Sequence, residues 1–207
     1  MDARPAIFLD KDGTLIEDVP FNVAPAHLRW TGGAIEALRL WQAAGYAVVL
    51  ITNQAGIALG RFSEDAFLRF MDYLHAQLQE AGIALDAFYY CPHHPEGSVA
   101  AYAGPCKCRK PHPGLALRAA RELNLDLTRS WFVGDILHDV EAGRRAGCKT
   151  ILLDNGNETE WELGPQRRPH ALAADLHHAA QITLGLRNSL ARKPWLMRPL
   201  LPRARHV

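Results

Sequence analysis

Three short segments of this chain end in groups that could do chemistry. AIFLDKDGT places Asp10 and Asp12 two residues apart behind an apolar run, VVLITNQ ends in Thr52 and Asn53, and WFVGDILHD carries Asp135 and Asp139. Several carboxylates brought together repel one another unless a hard cation sits among them, and Mg²⁺ takes oxygen ligands while retaining waters and binding phosphate. Thr52 and Lys110 add a hydroxyl donor and a positive charge, the groups that hold the equatorial oxygens of a phosphoryl unit through its transition state. A carboxylate nucleophile completes the set. Asp10 would attack phosphorus to give an aspartyl-phosphate, and Asp12 would protonate the leaving oxygen and then activate water. Gly13 lets the chain turn sharply just past the strand, where a backbone carbonyl could face the metal. One Asp at a strand end is usually a turn former or helix cap. Coincidence is a poor account of DxDGT, TN, RKP before a helix and GDxxxD in a single chain.

A second cluster lies in CPHHPEGSVAAYAGPCKCRKP. Cys91, His93, Cys106 and Cys108 form C-x-H-x₁₂-C-x-C, two close pairs of ligands that suit tetrahedral Zn²⁺ with no open position. A disulfide among three clustered cysteines would leave an odd thiol, and four protein ligands would close the site to substrate. The expected metal is therefore structural. Its loop has few core-forming residues, so binding would supply much of the loop's folding free energy. Arg109 and Lys110 follow the last ligand directly. His94 reads as a loop residue, and Cys148, after Gly147 and before a strand, as a small buried side chain.

The elements that must position these residues are short apolar runs alternating with amphipathic stretches, the pattern of a parallel sheet covered by helices. Strands are expected at Ala6–Leu9, Ala47–Ile51, Ala87–Tyr90, Trp131–Val133 and Thr150–Leu153, and helices at Gly33–Ala44, Ser63–Ala81, Pro113–Asn124 and His138–Ala146. The second helix is the clearest. Phe67, Phe70, Met71, Leu74 and Leu78 recur at helical spacing, with Ser63 to cap the start and Gly82 to stop the end. Beyond Asn155 the pattern weakens into NGNETEWELGPQRRP, read as loop, and Ala171–Leu184 is expected to form one last helix. In an open sheet of this kind ligands bind at the carboxyl ends of the strands, so Asp10 and Asp135 can converge although 125 residues separate them.

At 207 residues the chain can bury one good core, expected over residues 1–186, with the metal loop at 91–108. No apolar run approaches the roughly 20 residues of a membrane span, and MDARPAIFLD lacks a secretory pattern. A cytoplasmic protein is expected. Residues 187–207 hold six of the 23 Lys/Arg and none of the 22 Asp/Glu, which leaves the body with 17 basic and 22 acidic residues, near −5. Such a body has no electrostatic footprint for nucleic acid, so the expected partner is a small molecule and the expected state a monomer. The basic tail is read as a flexible extension.

FLDKDGT, VLITNQ, CRKP and VGDILHD resemble, in order, the four motifs of the haloacid dehalogenase superfamily of phosphohydrolases. TNQAGIALGRFS followed by CPHHPEG…CKCRKPxPG is similar to the D,D-heptose 1,7-bisphosphate 7-phosphatases and to the related histidinol-phosphate phosphatase domain, over roughly residues 5–180. The resemblance implies an α/β, Rossmann-like parallel sheet with helices on both faces, a zinc-bound loop and no large cap domain. It implies removal of the 7-phosphate of a sugar bisphosphate in heptose precursor synthesis for lipopolysaccharide core. Asp10 would be the nucleophile and Asp12 the general acid/base. Thr52 and Lys110 would stabilise the phosphoryl group, and Mg²⁺ would be bound by Asp10, the Asp12 carbonyl and Asp135. Lys11, Asn53, Gln54, Ala55 and Arg109 would contact substrate. The chain departs from the family at Leu59, where GIARG commonly has arginine, and at Ile136, often lysine.

Overall fold

The computed structural model describes residues 2–186; the basic tail lies outside the described residues. Six parallel strands, β1 (Ala6–Leu9), β2 (Ala47–Asn53), β3 (Ala87–Cys91), β4 (Trp131–Gly134), β5 (Lys149–Leu153) and β6 (Ala171–Ala173), form one open sheet in the order β3-β2-β1-β4-β5-β6. Strand order reverses between β1 and β4, and a crevice opens beyond their carboxyl ends at such a point.

The helices are α1 (Ala34–Ala43), α2 (Ala55–Ala58), α3 (Glu64–Glu80), α4 (Gly114–Glu122), α5 (Leu137–Ala146) and α6 (Leu176–Thr183). Alternation along the strands sorts them onto the two faces. Ile7, Leu9, Val48 and Leu50 point into a core with Trp41 of α1, Phe67, Phe70 and Leu74 of α3, and Leu176 of α6. Ala6, Phe8, Val49 and Ile51 point the other way, onto Leu115 and Ala119 of α4 and Ala142 of α5. Both faces of the central strands are buried, which is why their sequences are unbroken apolar runs. Ser63 Oγ accepts the Ala66 N–H at 3.1 Å and so caps α3. Among the described residues no helix is long and apolar enough to cross a membrane.

One expectation fails. Ala171–Leu184 is not a single helix: Ala171–Ala173 pairs as an edge strand with Ile151–Leu153, and α6 starts only after Asp175, whose Oδ1 accepts the His178 N–H at 2.7 Å. An alanine-rich edge strand has no β-branched signature, and sheet pairing outweighs its helical propensity. Asp175 reads in sequence as a mid-helix polar residue and serves as a cap.

His170, just before β6, ties the sheet edge through its ring. Nδ1 accepts the Thr150 N–H at 3.0 Å and lies 3.1 Å from Thr150 Oγ1. Partial burial and the nearby Arg144 and Lys149 charges hold its pKa below the ordinary histidine value. The folded state therefore binds this proton less readily than the unfolded chain, so its contribution is complete above the unfolded pKa and declines as pH falls through it. His170→Asn keeps an acceptor without the titration. The fall in melting temperature between pH 7.5 and 5.5 is expected to be shallower in the variant, and equal slopes would remove His170 as a cause.

Candidate active site

The three reactive segments meet at the switch point. Lys110 reaches in from the loop before α4; its Nζ donates to the Ile51 carbonyl at 3.0 Å and lies 2.6 Å from both Asp10 Oδ1 and Asp139 Oδ1. Carboxylate oxygens of Asp10, Asp135 and Asp139 lie within 4.8 Å of one another, and all three residues are buried. Burial raises the Asp10 pKa well above its ordinary value, opposed by Lys110 and reinforced by Asp139, Asp135 and Asp12. Burial and then Asp139 push Asp135 up to about 6. For Lys110, burial alone would lower the pKa, but Asp10 and Asp139 together outweigh it and hold the ammonium firmly protonated.

The charges do not balance. Ionisation of all three carboxylates against one ammonium would leave a surplus of two negative charges. Oxygen donors this close, with a surplus of two, fit a hard divalent cation. Asp139 is occupied inside the protein, with Oδ1 facing Lys110 and Oδ2 accepting the Ile136 N–H at 3.3 Å. Asp10 and Asp135 are thus the carboxylates left to face a cation. Asp135 is aimed by Thr14 Oγ1 at 3.0 Å and Asn157 Nδ2 at 2.8 Å. Gly13 has φ +77°, and a Cβ there would fall 2.2 Å from Asp135 Oδ2, so both the turn and the close approach require glycine.

Asn53 and Gln54, expected to line the substrate pocket, hold neighbouring groups. The Asn53 amide spans the Lys110 backbone, accepting its N–H at 3.0 Å and donating to its carbonyl at 3.2 Å. Gln54 Nε2 donates to Asp12 Oδ2 and to Thr52 Oγ1, each at 2.9 Å. Asn53, Gln54 and Ala55 nevertheless border a cleft of ≈ 210 Å³ shared with Asp12, Asp18 and Phe21. Lys11 does not fit its expected place. Its side chain is fully buried, paired with Asp12 and 5.0 Å from the Phe70 ring centroid, so any contact with a ligand falls to its backbone. Phe70 lies on α3, and no local signal in DKDGT points to it. Asn157 is the residue that sequence reasoning left out of the site, and Asp139 stands among its reactive groups without a role. The GDxxxD spacing contained a signal for Asp139, whereas Asn157 sits in the segment read as loop.

Cys91, His93, Cys106 and Cys108 converge as a second group. Sulfur–sulfur distances are 3.5 Å for Cys91–Cys106, 3.1 Å for Cys91–Cys108 and 3.3 Å for Cys106–Cys108; His93 Nδ1 lies 3.7 Å from Cys91 Sγ and 3.4 Å from Cys108 Sγ. None of the cysteines is in a disulfide. A tetrahedron with Zn–S of about 2.3 Å and Zn–N of about 2.0 Å has edges of roughly 3.5–3.8 Å, so the four atoms fit such an ion with small adjustment. His94 stays outside the group, its Nδ1 accepting the Glu96 N–H at 3.2 Å. Cys148 is buried apart from it, and burial pushes its thiol up to about 12. Arg109, next to Cys108, is anchored at this loop by a 3.4 Å bond from Nη1 to the His93 carbonyl.

A parallel sheet ordered 3-2-1-4-5-6, with paired aspartates beyond its first strand and a buried lysine and further aspartates around them, defines a phosphohydrolase of the haloacid dehalogenase type. A HAD-hydrolase-like family model matches residues 107–179. The chain is 46% identical to D-glycero-β-D-manno-heptose-1,7-bisphosphate 7-phosphatase of Pasteurella multocida, over 74% of this chain and 83% of that one. It is 44% identical to the Yersinia pestis protein of the same name, over 72% and 79%. The crystal structure of D,D-heptose 1,7-bisphosphate phosphatase from B. bronchiseptica, complexed with magnesium and phosphate, superposes with a TM-score of 0.72 at 30% identity, covering 88% of this chain and 99% of that one. The chain belongs to the family of heptose-1,7-bisphosphate 7-phosphatases, and it is a phosphoric monoester hydrolase.

Gln54→Leu removes both bonds that aim Asp12 and Thr52 while roughly conserving volume. Phosphatase kcat is expected to fall by about 10²-fold, the lower range for a misplaced acid/base group, with the fold intact by circular dichroism. An unchanged kcat would show that Asp12 is oriented by something else.

Proposed function

We propose that this enzyme removes the 7-phosphate of D-glycero-D-manno-heptose 1,7-bisphosphate through an aspartyl-phosphate on Asp10, supplying a heptose 1-phosphate for lipopolysaccharide precursor synthesis in the cytoplasm. The observation that carries the reading is the placement of Asp10 at the end of β1, between Lys110 and Asp135, with Asp12 turned to the cleft by Gln54. It is supported by the identity to the Pasteurella multocida and Yersinia pestis phosphatases.

An Asp10 oxygen attacks phosphorus as the bond to the sugar oxygen breaks, and Asp12 gives that oxygen its proton. Asp12, now a carboxylate, takes a proton from water, which attacks the acyl-phosphate and releases inorganic phosphate and free Asp10. Lys110 and Thr52 hold the equatorial oxygens, and Arg109 contacts the sugar phosphate from the metal loop. Asp10, the Asp12 carbonyl and Asp135 would hold Mg²⁺, which supplies charge neutralisation and orientation of the phosphoryl oxygens. Cys91, His93, Cys106 and Cys108 would hold a structural Zn²⁺.

Phosphate release from both anomers of the heptose bisphosphate, fructose 1,6-bisphosphate and histidinol phosphate, with and without Mg²⁺, tests the assignment. The heptose compound is expected to have the highest kcat/KM, only with Mg²⁺, and Asp10→Asn to fall to background. Preference for histidinol phosphate would move the substrate, and residual turnover in Asp10→Asn would refute the chemistry.

Metal analysis of the purified protein is expected to find about one zinc per chain, the number one closed four-ligand site holds. Cys106→Ser should lower zinc content and melting temperature together. Full stability with no zinc would exclude a structural ion.

A further inference from the structure

The metal loop is held by more than its four ligands. Glu64, the first residue of α3, accepts the Tyr90 hydroxyl on Oε1 at 2.7 Å and the Tyr102 hydroxyl on Oε2 at 2.6 Å. Tyr90 immediately precedes Cys91. Tyr102 lies in the stretch between the two ligand pairs and packs edge-on against His93, with ring centroids 6.1 Å apart. One carboxylate thus grips the loop at its entry and in its middle, from a helix start where negative charge is favoured.

A second seam runs alongside. The Val99 N–H donates to the Ala58 carbonyl of α2 at 2.9 Å, and a Cβ at Gly97 would stand 3.0 Å from Ala58 Cβ and 3.1 Å from its carbonyl oxygen. The loop backbone therefore lies directly on α2, the short helix that begins at Ala55 on the cleft wall. The same loop ends at Arg109, whose guanidinium is bonded to the His93 carbonyl.

We infer that Glu64 is a positioning residue for substrate recognition: by holding Tyr90 and Tyr102 it fixes the metal loop on α2 and α3, and so fixes where Arg109 stands relative to the cleft. Its two hydrogen bonds go to Tyr90 and Tyr102, neither of them an expected metal ligand or a phosphoryl-handling residue. Its contribution should appear where the sugar is recognised and leave phosphoryl transfer alone. The inference rests on the proposed heptose bisphosphate reading.

The test compares Glu64→Ala, Glu64→Gln and Tyr102→Phe with wild type on D-glycero-β-D-manno-heptose 1,7-bisphosphate and on p-nitrophenyl phosphate, a phosphomonoester with no sugar for Arg109 to meet. Glu64→Ala is expected to raise KM for the heptose compound by about tenfold, the scale of a displaced recognition group. Its kcat on p-nitrophenyl phosphate should stay within about twofold of wild type, with zinc content unchanged. Glu64→Gln, which retains one acceptor, should recover most of the KM. Tyr102→Phe should shift KM in the same direction by less, and add nothing in the Glu64→Ala background. Unchanged KM in Glu64→Ala, or equal losses on both substrates, overturns the inference. A wild type that ignores the heptose bisphosphate yet hydrolyses p-nitrophenyl phosphate fails the substrate reading instead, and the two failures are distinct.

Discussion

The buried ammonium of Lys110 stands between Asp10 and Asp139, and the rest of the site is arranged around its charge. Buried carboxylates without compensation would take up protons, and a neutral Asp10 is no nucleophile. Lys110 offsets part of that tendency, and Asp139 keeps Lys110 in place without competing for the cleft. What remains is a surplus of negative charge between Asp10 and Asp135. A divalent cation relieves that surplus, and a phosphoryl group then brings its own negative oxygens to the same positive centre. The carboxylates and Lys110 are therefore arranged so that a bound divalent cation would balance their charges.

Placing Lys110 is a tertiary task, and the chain assigns it to several elements. Asn53 at the end of β2 clamps the Lys110 backbone, while the Ile51 carbonyl takes one of its ammonium protons. On the upstream side the metal loop ends at Arg109, and Glu64 with Tyr90 and Tyr102 holds that loop to α3, while Lys110 itself is held from β2. The cysteine cluster stands apart from the phosphoryl chemistry but adjoins it through Cys108. On the proposed reading two metal sites of opposite character would serve one reaction: a hard, oxygen-lined site for the phosphoryl group, and a closed sulfur-rich site that orders the loop ending at Arg109.

Much of this was legible in the chain. Five strands and the four longer helices before residue 150 follow from apolar runs and helical spacing, and Asp10, Thr52 and Asp135 converge because a parallel sheet collects strand ends on one edge, where Lys110 joins them from the loop before α4. What escaped did so for physical reasons. Ala171–Ala173 carries no β-branched residue, so its strand exists only through pairing with β5. Asn157 lies in an irregular segment, and only the folded chain brings its amide to Asp135. Lys11 is expected from resemblance to contact substrate, yet its side chain is buried against the Asp12 carboxylate and the Phe70 ring, which DKDGT alone does not show. Asn53 and Gln54 read as substrate contacts by resemblance, whereas their amides hold Lys110 and Asp12. Side-chain hydrogen bonding of this kind leaves no periodic trace.

The central claim is that Asp10, paired with Lys110, forms a covalent bond to phosphorus. It is tested most directly by acid-quenching a single turnover of the Mg²⁺-loaded enzyme and mapping the peptides by mass spectrometry. A phosphoryl group on the peptide carrying Asp10, absent from Asp10→Asn and lost on a longer chase, is the result the account predicts. Full phosphate release in that first turnover, with no phosphorylated Asp10 at any quench time, would contradict it and leave direct attack by water as the chemistry of this site.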